Sequence, residues 1–66
     1  MRYQLNDETV TADPAPTVAE IVDNEVGSRD GIAVAVDGEV IPASAWEHRA
    51  VDEGARVDVL SAVQGG

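Results

Sequence analysis

The sequence has 66 residues, no cysteine, and a formal net charge of −9 from 13 acidic residues against four arginines and no lysine. That size allows one small domain without a disulfide frame or thiolate metal site, and the negative field repels nucleic acid and anionic lipid. No apolar run approaches the roughly 18 residues of a membrane span and no signal-peptide pattern opens the chain, so a cytoplasmic protein, monomeric alone, is expected.

Met1, Tyr3 and Leu5 alternate with Arg2 and Gln4, and Val10 and Ala12 repeat the alternation after Asn6-Asp7-Glu8. Residues 1–12 therefore read as a β-hairpin with its turn at Asn6–Glu8. Asp13-Pro14-Ala15-Pro16 breaks the sheet, because proline cannot donate to a ladder. Thr17 and Glu20 then have the spacing of a capping box. Val18, Ile21, Val22 and Val26 form one apolar stripe behind it, so residues 18–26 read as a short amphipathic helix stopped by Gly27. A helix this short needs a sheet to lie on.

The run Ile32-Ala33-Val34-Ala35-Val36 is apolar throughout, as in a strand covered on one face and sheltered on the other. Asp37-Gly38 is a two-residue hairpin signal, Glu39-Val40-Ile41 returns, and Pro42 ends the strand. Ser44 and Glu47 repeat the capping-box spacing, predicting a helical turn over residues 45–48 that carries Trp46. Asp52-Glu53-Gly54 turns the chain into the longest strand candidate, residues 56–63. The order of elements is that of an α+β domain, one helix on one mixed sheet.

Few side chains are candidates for chemistry. Trp46 either caps the core or anchors a partner. His48 has no second histidine, cysteine or serine at catalytic spacing and reads as a surface residue. The acidic groups build no calcium loop, and there is neither a phosphate loop nor a nucleophile elbow, so neither a metal site nor an enzyme active site is expected. In the last strand, Val57 and Val59 inward place Asp58, Leu60 and Ala62 outward. Leu60 is then an isolated surface leucine or the centre of a docking patch, joined by Ala62. Gly65-Gly66 would be costly to order, so residues 64–66 are expected to form a flexible tail after a domain of residues 1–63. A thin tail can thread a narrow channel and present one carboxylate.

Two segments, Val36-Asp37-Gly38-Glu39-Val40-Ile41-Pro42 with Trp46 four residues on, and Asp52-Glu53-Gly54-Ala55-Arg56-Val57, together with the ending Ala62-Val63-Gln64-Gly65-Gly66, resemble the ThiS family of sulfur carriers in thiamine thiazole synthesis. The extra acidity and the absence of lysine depart from that pattern. The resemblance implies a ubiquitin-like β-grasp fold of about five strands, with the first and last running parallel in mid-sheet. It also implies that Gly66 is the site of adenylation and thiocarboxylate formation, with Gln64, Gly65 and Gly66 recognised as a tail. The implied partners are a ThiF-type adenylating enzyme that uses ATP, a sulfur donor such as a cysteine desulfurase, and a ThiG-type thiazole synthase. The carrier itself binds no cofactor and is a co-substrate rather than an enzyme. A molybdopterin-synthase small subunit, or a ubiquitin-like protein modifier, are the alternatives on the same fold. A plain interaction module is a third alternative.

Overall fold

Asn6 and Asp7 adopt positive φ values of 49° and 71°, the left-handed pair that a two-residue hairpin turn requires. The turn joins β1 (Arg2–Leu5) to β2 (Glu8–Thr11), with Tyr3 opposite Val10 and Leu5 opposite Glu8. It is one residue tighter than the sequence suggests, because Glu8 already belongs to β2. The computed structural model describes residues 1–61.

Helix α1 spans Val18–Glu25 behind the expected capping box, whose two hydrogen bonds between Thr17 and Glu20 are both formed. The remaining free N–H groups of the first turn find backbone partners. Val18 donates to the Arg49 carbonyl at 2.9 Å and Ala19 to that of Trp46 at 3.1 Å. The helix start is thereby fastened to the connector at Trp46–Arg49, and its orphan donors are satisfied. Val18, Ala19, Ile21 and Val22 are buried. Val26 is not: it is the C-cap residue, 43 % exposed, and Gly27 at φ +82° turns the chain away there. The apolar stripe therefore ends one turn earlier than its spacing implies.

Strand β3 (Ile32–Val36) turns through Asp37-Gly38, again with positive φ at both residues, into β4 (Glu39–Ile41). A 3-10 turn over Ala43–Ala45 follows and runs on into the expected turn over residues 45–48, where the His48 N–H donates to the Ala45 carbonyl at 3.0 Å, but the expected capping box of Ser44 and Glu47 is not formed. Pro42 occupies the cap position of the 3-10 turn and no side chain caps it. Glu47 instead accepts a hydrogen bond from Arg29, which also holds Asp23 at the end of α1. Strand β5 begins at Arg56 and is described as far as Ser61.

The five strands lie in the order β2-β1-β5-β3-β4. β5 runs parallel to β1 and antiparallel to β3, so the last strand is central to the sheet. This is the mixed sheet and single helix of the β-grasp fold. Tyr3, Leu5, Val34, Val36, Val57 and Val59 line the inner face and pack with the buried side of α1. Alternation along the strands puts the intervening residues on the other face, which no helix among the described residues covers. Here β3 departs from expectation. Its outward residues are not sheltered, with Ala33 exposed and Ala35 half-buried.

Candidate functional site

β5 is the last strand among the described residues, and the two hairpin turns hold it at its start and at Val59. At its start, the Asp37 carboxylate accepts from the Arg56 N–H at 3.0 Å, while the Asp37 N–H donates to the Arg56 carbonyl at 2.7 Å. Near its far end, the ladder with β1 runs out at the Asn6 N–H, which donates to Val57. The Asn6 side-chain amide then takes over. Its Oδ1 accepts from the Val59 N–H at 2.9 Å and its Nδ2 donates to the Val59 carbonyl at 3.3 Å. One carboxamide thus acts as an additional rung of the sheet. The sequence marks Asn6 only as a turn residue; its second role depends on β5 lying beside β1.

This backbone presents Leu60 outward, 64 % exposed, as the strand phase predicts from buried Val57 and Val59. Leu60 lies opposite Ala33, and Ala35 lies between Asp58 of β5 and Val40 of β4. Val40 is 72 % exposed. Leu60, Ala33, Ala35 and Val40 therefore make an apolar patch across three strands, with small alanines between two larger side chains. A contiguous patch of this kind carries more meaning than a lone exposed leucine. Ala33, Ala35 and Val40 were not singled out in the sequence. Val40 was accessible to the same reasoning, because Ile41 inward requires its neighbour outward.

Trp46 does not belong to this surface. It is 1 % exposed, and its indole N–H donates to the Ile41 carbonyl at 2.9 Å. The expectation that it offers a docking anchor is corrected accordingly: a buried, hydrogen-bonded indole is part of the core. His48 is exposed. Ala62, Gln64, Gly65 and Gly66, the other sequence-predicted site residues, lie outside the described residues, as do the last two positions of the expected 56–63 strand.

The outer face is less acidic than the chain as a whole. Among its strand residues are Arg2 and Arg56 against Asp58, whereas Glu20, Asp23 and Glu25 lie on α1. Arg56 stands 3.9 Å from Asp7, a loose and exposed pair. Such a pair adds little to stability.

The profile of the ThiS family matches residues 2–66. No curated protein matches the sequence significantly. Among solved structures, the chain resembles the crystal structure of the thiamine biosynthesis protein ThiS from Geobacter metallireducens. That match has a TM-score of 0.80 at 28 % identity, covering 100 % of both chains. A solution structure of a thiamine biosynthesis protein from the same organism matches with a TM-score of 0.76 at 26 % identity, covering 100 % of this chain and 88 % of the other.

Proposed function

The chain belongs to the ThiS family, and on that footing we propose that it is a cytoplasmic sulfur carrier in thiamine biosynthesis whose Gly66 carboxylate bears the sulfur. The observation that carries this reading is the family match, which runs through residue 66. A terminal carboxylate is ionised at neutral pH and can attack the α-phosphorus of ATP, displacing pyrophosphate and leaving an acyl-adenylate. Hydrosulfide then attacks the carbonyl carbon and AMP departs, leaving a thiocarboxylate; where the sulfur arrives as a cysteine persulfide, the acyl disulfide formed first is cleaved by a thiol, which leaves as the disulfide with the donor cysteine. Glycine places no side chain beside that carbon. The partners are a ThiF-type adenylating enzyme, which uses the ATP, a sulfur donor such as a cysteine desulfurase, and a ThiG-type thiazole synthase that receives the sulfur. The carrier acts as their co-substrate; the groups that stabilise the reacting oxygen belong to the enzymes. The patch of Leu60, Ala33 and Val40 is the docking surface that brings the tail, with Gln64 and Gly65 read alongside Gly66, to each active site.

The test is a mass measurement. Incubation with a ThiF-type enzyme, ATP and a sulfide source adds about 16 Da, the exchange of one oxygen for sulfur. Deletion of Gly66 prevents the addition. An unchanged mass, under conditions that load a known ThiS protein, overturns the carrier reading. Conjugates to other proteins that survive reductant replace it with that of a modifier.

A further inference from the structure

A second surface lies on the opposite side of the sheet, between β2 and α1. β2 is an edge strand paired only with β1. The hydrogen-bonded pairing continues past the strands at Ala12 and Met1, where each backbone nitrogen donates to the other residue's carbonyl at 2.9 Å. In an antiparallel ladder bonded and unbonded pairs alternate, so Val10 and Glu8 also bond inward. The N–H and C=O groups of Thr9 and Thr11 therefore face the free edge. Beside that edge runs a groove of about 300 Å³ with Tyr3, Leu5 and Ile21 in its floor and Val10, Ala12 and Pro16 along its side. Asn24 and Glu25 form its rim. Through Pro16 and Asn24 it continues into a depression edged by Glu20 and Asp23.

No cation lines either depression. Asp23 is paired with Arg29, which leaves Glu20 and Glu25 to set the local field. Glu25 lies near enough to Tyr3 to help burial raise that phenol's pKa. An unpaired row of backbone groups, an apolar trough beside it and an acidic rim are the three elements of strand addition with charge selection. A second copy of this chain is a poor occupant, since pairing β2 with β2 would bring two acidic rims together.

We infer that this groove takes an extended peptide segment that pairs with the outward backbone groups of Thr9 and Thr11, lays alternate apolar side chains over Val10 and Ile21, and directs lysine or arginine toward Glu20 and Glu25. The site goes beyond the proposed sulfur transfer. It faces away from Leu60, so a basic segment held here leaves the patch and the tail route free for an enzyme.

The test uses the full isotopically labelled chain and an acetylated Lys-Val-Thr-Ile-Thr-Val-Lys-Arg peptide. Amide resonances of Thr9, Thr11, Ile21 and Asn24 shift on titration, while those of Ala33 and Leu60 do not. N-methylation of the peptide amides that face β2 abolishes the shifts, and methylation of the alternate amides does not. Glu25→Arg weakens the peptide about threefold, the size of one exposed ion pair. Replacing the basic residues of the peptide by glutamate has a larger effect in the same direction. No shift at Thr9 and Thr11 with peptide at about 1 mM, the weakest affinity of interest, overturns the inference. So do shifts centred on Leu60, indifference to N-methylation, or concentration-dependent shifts of the chain without peptide.

Discussion

Leu60→Asp separates docking from folding in one substitution. Leu60 is 64 % exposed, which leaves on the order of 100 Å² of apolar surface for a partner to cover, or about 2.5 kcal/mol at ~25 cal/mol per Å². That energy corresponds to a factor of roughly 70 in Kd, and a carboxylate desolvated against the partner adds to it. In the free protein the loss is smaller. Aspartate is a poor strand residue and Asp58 lies two positions away on the same face, so about 1 kcal/mol of stability is lost. Calorimetric titration against a ThiF-type enzyme, alongside urea unfolding, measures both. Binding should weaken at least about 50-fold while the unfolding midpoint moves modestly. Unchanged binding would remove Leu60 from the docking surface. A loss of stability as large as the loss of binding energy would mean that Leu60 contributes to the core.

Trp46→Ala should do the reverse. Truncating a buried indole costs about 3–5 kcal/mol, against a total of roughly 3–10 kcal/mol for a chain of this size; circular dichroism should find it mostly unfolded or close to it. Asn6→Gly preserves the positive φ but removes both bonds to Val59, costing about 1–2 kcal/mol. Hydrogen exchange should show the Val59 amide opening faster than that of Val34. The hydrogen bond from Arg29, reinforced by its charge, holds the Asp23 carboxyl below the ordinary aspartate range. A lowered folded-state pKa stabilises above the unfolded pKa and is lost as pH falls through the folded one. Arg29→Gln should thus destabilise near pH 7 and have little effect near pH 2, and a carbon-detected titration should return Asp23 to the usual range.

What was legible in the sequence follows the range of the interactions involved. The first hairpin, the capping box at Thr17, the Asp37-Gly38 turn and the inward phase of Val57 and Val59 rest on residues within a few positions of each other, and all are present. The second capping-box spacing, at Ser44 and Glu47, fails because a distant residue competes: Arg29 takes the Glu47 carboxylate, while Pro42 starts the turn earlier. The apolar run in β3 could not show that Ala33 faces solvent, since alanine is compatible with both faces. The parallel pairing of β1 with β5 joins residues some 50 positions apart, and no local period encodes it. Trp46 is ambiguous in the sequence for a related reason, because the core it joins is assembled from residues distant in sequence, such as Val18, Val22 and Val34, while the local Ile41 carbonyl only satisfies its indole N–H.

The same long-range pairing suits β5, more than an edge strand, to the docking role proposed for Leu60. A side chain on a mobile backbone must be ordered when its partner arrives, and that cost is subtracted from the affinity. β5 has neighbours on both sides, with five paired positions against β3. Where β1 ends, the Asn6 carboxamide supplies the next rung one residue before Leu60. Val40, on the open β4 edge, has only one neighbouring strand, so its contribution to docking should be smaller per unit of exposed surface. The turn that closes the first hairpin therefore has a second consequence: it makes the base of the carrier's proposed docking surface rigid before a partner is present.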